Sequence, residues 1–219
     1  MNKIILFISV VLFSTLQLTA QSDSELYFVF LNTNPDKEVL SENKVENLQA
    51  AHLNNIDRLS KEGKLIAAGP FEEGGGILIL KAKDQFQAWE YLDTDPAIKA
   101  KRFKVEVMPF SVWNGYVCGA KEPYEMVTYQ FARLFSNPDF KGDERKMIHD
   151  NRIFMADMMN NNSEVLVYGF FSEFNDGMAV FNTSTENAES LINEHPAIKA
   201  GQLTYEIKTL YIAKGTFCE

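Results

Sequence analysis

Apolar and polar residues are arranged along the chain in a pattern that predicts one order of structural elements, repeated once. In the first half, an apolar run at 26–31 indicates a strand, and apolar positions at steps of three and four over 37–62 indicate a long helix. Two short apolar runs separated by glycines, a short helical stretch and an alternating segment at 103–109 follow. The second half is predicted to repeat these elements at 126–135, 139–160, 164–171, 178–181, 185–193 and 202–213.

An identical pentapeptide supports this duplication. Pro-Ala-Ile-Lys-Ala occurs at 96–100 and again at 196–200, which gives a period of one hundred residues. The breakers Gly115, Gly119 and Pro123 mark a linker between the two copies. We therefore divide the chain into a first domain, a linker, a second domain and a tail at 25–113, 114–123, 124–213 and 214–219.

The predicted order of elements defines a fold class. A strand-helix-strand-strand-helix-strand unit of about 90 residues is typical of the ferredoxin-like arrangement, an antiparallel four-stranded sheet with both helices on one face. The other face stays uncovered, and a second copy in the same chain supplies a second sheet at high effective concentration. We therefore predict an α+β protein in which two ferredoxin-like domains pack sheet to sheet, so that a monomeric chain forms an intramolecular pseudo-dimer.

The first residues have the composition of a secretory signal peptide. Lys3 precedes an uncharged run at 4–18, and the small residue Ala20 precedes a polar segment. The run is shorter than the roughly 20 residues that a membrane-spanning helix needs, so we expect no membrane anchor after cleavage. Residues 1–20 are therefore predicted to direct export, either to the periplasm or out of the cell.

The charge balance argues against a nucleic-acid partner. The chain has 30 acidic and 21 basic residues, a formal net charge of −9, and removal of Lys3 with the signal peptide makes it −10. An acidic protein without a concentrated basic patch repels phosphate backbones and anionic lipid. The closest basic cluster, at 99–104, is reduced to Lys199 in the second half.

Two cysteines, Cys118 and Cys218, lie one hundred residues apart, each five residues past the end of its domain's closing strand. In an exported protein this pattern indicates a disulfide, with two free thiols as the alternative. Equivalent positions of a pseudo-dimer meet only near its twofold axis. The bridge therefore requires both segments to converge there.

Few residues are suited to chemistry. The histidines of the chain are His52, His149 and His195, and Asp95 is held in extended backbone geometry by the proline that follows it. A histidine with a carboxylate beside it forms a general base with an orienting partner. The alternative is structural: His52 would bond a backbone carbonyl on the inner helix face, and Asp95 would only cap a turn.

We expect neither a metal nor a cofactor. His149 and His195 are unlinked in sequence, which is weak support for a metal site. Gly74, Gly75 and Gly76 lack the lysine and the following helix of a phosphate-binding loop, so a hairpin turn is expected there. The expected partner is a small-molecule ligand.

Three segments carry a resemblance to a known family: His52 on the long helix, EGKLIAAGPF at 62–71 and DPAIKA at 95–100. Together they resemble the YciI-related (YCII) domain, a member of the dimeric α/β barrel group, over the whole first half. The resemblance implies a barrel of two ferredoxin-like sheets and a cleft in which His52 and Asp95 form the catalytic pair. The residues implied for substrate binding are Gly69, Pro70 and Phe71.

The second half keeps this pattern less faithfully. His149 is aligned with His52 and Gly169 with its glycine counterpart, but a histidine, His195, replaces the aspartate. The asparagines at 160–162 are expected to lengthen the turn after the helix. We therefore expect a degenerate second site around His149, His195 and Gly169.

Two functions from different classes fit these residues. The first is an exported YciI-like enzyme, of unknown specific activity, that uses His52 and Asp95 for proton transfer on a small organic molecule. The second is a non-catalytic module that binds a small molecule or interacts with a partner. Replacing His52 by alanine distinguishes them, because turnover is abolished in the first case and ligand binding is nearly unchanged in the second.

Overall fold

The structure of the chain is a computed structural model that describes residues 25–171 and 176–218, with side chains except those of 144–147. The predicted signal peptide, residues 1–20, lies outside the described residues. None of the described helices is long and apolar enough to cross a membrane.

The first half contains the predicted elements and one additional short helix. In chain order they are β1 (Glu25–Thr33), α1 (Glu42–Lys61), β2 (Leu65–Pro70), β3 (Gly76–Ala82), α2 (Gln85–Leu92), α3 (Pro96–Lys99) and β4 (Phe103–Asn114). The long helix begins after Ser41, whose backbone is extended, and not at residue 37 as the periodicity indicated. The additional helix, α3, begins at Pro96, a residue favoured at the first helical position because it has no N–H to leave unpaired.

The second half repeats this order after a two-residue strand, β5 (Tyr116–Val117), in the predicted linker. Its elements are β6 (Met126–Ser136), α4 (Glu144–Asn161), β7 (Val165–Phe170), β8 (Gly177–Phe181), α5 (Thr185–Asn193), α6 (Pro196–Lys199), β9 (Leu203–Ala213) and β10 (Phe217–Cys218). The turn after α4 is not lengthened, contrary to our expectation, because Asn160 and Asn161 belong to the helix. The turn after α1 runs from Lys61 to Leu65, and the turn after α4 runs from Asn161 to Val165. The two turns have equal length, so a constant separation of one hundred residues relates the two halves in this region.

The eight long strands form one antiparallel sheet in the order β2-β3-β1-β4-β7-β8-β6-β9. Each half is ferredoxin-like, as predicted, with its helices packed on one face of its four strands. The halves are joined where β4 pairs with β7, for example between Ser111 and Phe170. At the other end of this order, a bridge between Phe71 and Leu210 connects β2 to β9. The sheet therefore closes into an α/β barrel within one chain.

Aromatic side chains from both halves fill the interior of the barrel. The ring centroid of Phe28 lies 5.6 Å from that of Phe131 and 5.2 Å from that of Phe171, both in the second half. Side chains alternate between the two faces of a strand. Each four-stranded sheet therefore buries one face in the barrel interior and the other face under its helices. A single half would expose these rings to water, which is the physical reason why the two halves pair.

The linker and the tail meet beside the barrel. Strand β5 pairs with β10, and the disulfide between Cys118 and Cys218 joins the two segments, with Cα atoms 6.2 Å apart. This distance lies within the range that a disulfide can span. The predicted disulfide is confirmed, and part of the predicted linker and tail forms a small two-stranded sheet.

Candidate active site

His52 and Asp95 meet in the first half, between α1 and the start of α3. The Nδ1 atom of His52 lies 2.6 Å from Oδ2 of Asp95, and the two residues are 7% and 1% exposed. The proline after Asp95 keeps this residue extended, at φ −80° and ψ 122°, so that its other oxygen, Oδ1, accepts hydrogen bonds from the N–H groups of Ala97 and Ile98. One carboxylate thus caps a helix and holds the imidazole at the same time.

Three further polar residues support this pair. Asn55, one turn after His52 on α1, donates from Nδ2 to Oδ2 of Asp95 over 3.4 Å. Its Oδ1 accepts hydrogen bonds from Arg58 over 2.8 Å and from the hydroxyl of Thr94 over 3.0 Å. None of these three residues was predicted from the sequence. Their signal is the spacing of three between His52, Asn55 and Arg58, which places all three along one side of a helix.

The electrostatics of the pair determine which ring nitrogen of His52 can accept a proton from a ligand. Burial by itself raises the pKa of Asp95, but the hydrogen bond and charge of His52, with the N–H groups of Ala97 and Ile98, outweigh burial and hold the pKa below its ordinary value. The carboxylate is therefore ionised at neutral pH. Because an ionised carboxylate only accepts, Nδ1 of His52 carries the hydrogen when the ring is neutral, and in that form Nε2 is the nitrogen that can accept a proton.

His52 lines a cavity of about 510 Å³, which we call the His52 cavity. The three residues implied for substrate binding line it as well; they are Gly69, Pro70 and Phe71. The glycine turn between β2 and β3 and the side chain of Gln49 complete one side. Asp95 is not among the lining residues, so it acts on a bound molecule only through His52.

The second half does not bring its predicted site residues together. His149 is exposed and lies in a shallow pocket of about 350 Å³ with Trp113 and Arg152, whereas His195 is 0% exposed. The constant separation of one hundred residues also pairs His52 with Arg152, and not with His149. His149 was aligned with His52 because both are histidines. In the structure it lies three positions before Arg152, the residue equivalent to His52.

His195 occupies the position of Asp95 but cannot replace it. Its Nδ1 accepts from the N–H of Ala197 over 3.2 Å, as Asp95 does from Ala97, but its Nε2 has no hydrogen-bond partner among the described residues. Burial lowers the pKa of His195 to about 4, so the ring is neutral at neutral pH. A neutral imidazole at this position cannot supply the charge that Asp95 gives to His52.

Aromatic rings occupy part of the space in the second half that corresponds to the His52 cavity. Tyr168 stands one hundred residues after Ala68, and its ring is 0% exposed against α4, whereas Ala68 lines the cavity of the first half. Phe170 replaces Pro70, and the guanidinium of Arg152 lies 4.9 Å from its ring centroid. The equivalent space in the second half is therefore reduced to the shallow pocket of about 350 Å³ beside Arg152.

Gly69 and Gly169 are retained in both halves for a reason of packing. A Cβ atom on Gly69 would lie 2.6 Å from the carbonyl oxygen of Tyr211, and one on Gly169 would lie 2.8 Å from that of Ser111. These carbonyls belong to β9 and β4, the closing strand of the opposite half in each case. The glycines thus mark the two seams between the halves.

The fold and the first-half site together define a ferredoxin-like α/β barrel with a buried histidine-aspartate pair. Residues 26–111 match the family model of the YCII-related domain. The comparison with curated proteins gave no match.

Solved structures of similar fold cover most of the chain. One is a putative chlorite dismutase, 12% identical, with a TM-score of 0.50 and coverage of 86% of this chain and 94% of the other. Another is a putative monooxygenase from Lactobacillus acidophilus, 13% identical, with a TM-score of 0.46 and coverage of 86% and 93%. At these identities the similarity concerns the fold alone.

Proposed function

We propose that the first half binds a small organic molecule in the His52 cavity and transfers a proton, with His52 as the base and Asp95 as its orienting partner. The observation that carries this proposal is the buried 2.6 Å contact between Nδ1 of His52 and Asp95 beside a cavity of about 510 Å³. Cavities of this size are typical of small-molecule sites. A buried pair of this kind at a cavity wall is also the arrangement that general-base catalysis needs.

The proposed step moves one proton from an acidic C–H or O–H bond of the ligand to Nε2 of His52. The electron pair of that bond stays on the ligand, and the proton returns to the product or to water. Asp95 stabilises the imidazolium that forms, because its ionised carboxylate accepts the hydrogen on Nδ1. Asn55 and Thr94 keep the carboxylate and its helix cap in place.

The second half is, in this proposal, a second YCII-like copy within 124–213 that has lost its site and supplies the other half of the barrel. Its repeated order of elements supports this, and so does the ring of Tyr168 at the position of Ala68. The chain is then a monomeric pseudo-dimer with one working site. The boundaries 25–113 and 124–213 are the proposed limits of the two copies.

Export through the signal peptide at 1–20, to the periplasm or out of the cell, is part of the same proposal. The disulfide between Cys118 and Cys218 supports it, because disulfides persist in oxidising compartments. The net charge of −9 supports a small-molecule partner and not a nucleic acid.

Proton transfer is tested by exchange of carbon-bound ligand hydrogen for deuterium, followed by NMR in D2O over a panel of small carbonyl compounds and phenols. Hydroxyl hydrogens exchange with D2O without a catalyst, but removal of a phenol's hydroxyl proton activates its ring C–H bonds towards exchange. Wild type and His149→Gln, a matched control at the exposed histidine of the second half, are expected to catalyse exchange of the same compound. His52→Gln is expected to be at least about 100-fold slower. The exchange rate of Asp95→Asn should lie between those of wild type and His52→Gln, since asparagine still caps α3 but does not stabilise an imidazolium.

Two outcomes contradict the proposal. Exchange that persists in folded His52→Gln removes the histidine from the reaction. Saturable binding in the His52 cavity without exchange of any compound identifies the non-catalytic binding module instead. Circular dichroism of each variant separates loss of chemistry from loss of fold.

A further inference from the structure

A second cavity adjoins the His52 cavity and is completed by parts that a single domain does not have. It encloses about 590 Å³ between α1, β2 and the linker, and we call it the linker cavity. Val117, Gly119 and Ala120 of the linker and Thr216 of the tail form one wall. The disulfide and the pairing of β5 with β10 hold this wall together.

The two cavities are neighbours with a common boundary. Four residues line both of them; they are Leu53, Ile56, Ala68 and Met126. All four are apolar, and the walls of the linker cavity on the β2 side are apolar as well, from Leu65 to Ala68. The polar side chains of the linker cavity include Asp57, which is already paired with Lys61 over 2.7 Å.

Large apolar side chains are also exposed along the linker cavity and its boundary with the His52 cavity. Leu53 is 53% exposed, Tyr124 is 50% exposed and Met126 is 38% exposed, and all three line the linker cavity. Exposed apolar surface that converges on a cavity is typical of a binding site. In the second half, Ile153 and Trp113 are likewise exposed beside a smaller pocket of about 350 Å³, but no residue of the linker or the tail lines that pocket.

We propose that the ligand is an elongated amphiphile whose acidic hydroxyl reaches His52 and whose apolar tail extends past Ala68 into the linker cavity. The inference rests on the proposed function for the identity of the head group, because Nε2 of His52 accepts and the head must therefore donate. The tail follows from a different observation, the apolar boundary shared by the two cavities. A linker that is joined to the tail by a disulfide thus becomes part of the binding site.

The proposal is tested with the 4-alkylphenols from 4-ethylphenol to 4-octylphenol as probes, by equilibrium dialysis against the full chain with its disulfide intact. Each buried methylene contributes transfer free energy that corresponds to about a fourfold gain in affinity. Affinity is therefore expected to rise by about fourfold per added methylene until the linker cavity is filled. An affinity that does not depend on chain length overturns the proposal.

A variant that fills only the linker cavity locates the tail. Ala120 lines this cavity but not the His52 cavity, so Ala120→Trp should reduce the affinity for 4-octylphenol to that for 4-ethylphenol. The matched control is Ala156→Trp, which places the same ring in the shallow pocket of the second half. Equal effects of the two variants on 4-octylphenol, or no effect of either, overturn the proposal. If Ala120→Trp does not fold, Gly119→Phe replaces it, because a Cβ at Gly119 meets nothing within 4 Å.

The variant His52→Gln separates this inference from the proposed function. It should lower the affinity for every alkylphenol by a similar factor and leave the dependence on chain length unchanged. If deuterium exchange fails while affinity still rises with chain length, the proton-transfer function is wrong and the linker cavity remains a tail site. If exchange is present while affinity is independent of chain length, the function holds and the tail site is wrong.

Discussion

At the scale of single residues, Asp95 and His195 show that the same capping position can hold a charged side chain in one half and a neutral side chain in the other. Each accepts a hydrogen bond from the N–H of an alanine two residues on, in an identical Pro-Ala-Ile-Lys turn. The aspartate also has His52 as a partner and is charged. The histidine is buried among Phe154, Tyr168 and their neighbours and is neutral, with its pKa lowered to about 4 by burial.

The titration of His195 predicts a dependence of stability on pH. Its ordinary pKa is 6.5 and its folded value is about 4, so between these values the unfolded chain binds a proton that the folded chain does not. The free energy of unfolding therefore falls as the pH is lowered through this window, by about 3 kcal/mol in total at about 1.4 kcal/mol per unit of pKa difference. His195→Asn keeps a capping oxygen and removes the titration.

Urea unfolding of wild type and His195→Asn at pH 7, 5.5 and 4 measures this effect. The difference between the two proteins should change by about 3 kcal/mol across the series, in favour of the variant at low pH. His149→Gln is the control, since the exposed ring of His149 has no comparable burial. An identical pH dependence of wild type and His195→Asn would show that His195 titrates normally.

At the scale of elements, the barrel depends on two seams where the hairpin of one half meets the closing strand of the other. The seam of β7 with β4 is a paired ladder, and that of β2 with β9 rests on the bridge between Phe71 and Leu210. Gly69 and Gly169 permit this close approach of backbones. Residues with side chains at these positions would push the two halves apart.

Gly69→Ala is therefore expected to destabilise the protein by about 1 to 3 kcal/mol, the usual cost of overpacking. The added Cβ would lie 2.6 Å from a backbone oxygen, which cannot rotate away as a side chain would. Gly119→Ala is the matched control, because its Cβ meets nothing within 4 Å. Urea unfolding compares the two variants, and equal stability would mean that the seam adjusts without cost.

At the scale of the whole molecule, one chain reproduces a closed barrel and then ties its linker to its tail. The shared aromatic core of Phe28, Phe131 and Phe171 holds the halves together from inside. The disulfide between Cys118 and Cys218 closes a loop with a sequence separation of 100 outside the barrel. A long loop of this kind restricts the unfolded chain strongly.

Replacing both cysteines by serine is expected to lower the free energy of unfolding by about 2 to 4 kcal/mol, below the chain-entropy limit of about 4.7 kcal/mol for such a loop. Urea unfolding of wild type and of the double variant measures the loss. A reductant should destabilise wild type by the same amount and leave the double variant unchanged. Free thiols in unfolded, unreduced wild type would contradict the bridge.

Local patterns in the sequence determined the elements and their repetition. The helix α5 was predicted with the bounds that the structure shows, Thr185–Asn193, and the structure shows that the side chain of Ser184 caps its start. The contact between His52 and Asp95 could be predicted because the resemblance to the YCII domain and the proline after the aspartate both pointed to it. The disulfide followed from spacing in the same way.

Only the tertiary structure decided how the two halves differ. The pairing of β4 with β7 and the join of the two cavities depend on residues far apart in the chain, and no local pattern encodes such contacts. Ala68 and Tyr168 stand at equivalent positions of a strand, yet one lines a cavity and the other is fully buried in the core of its half. A strand position specifies which face a side chain occupies, and the volume around that face is set by the packing of every other element against it.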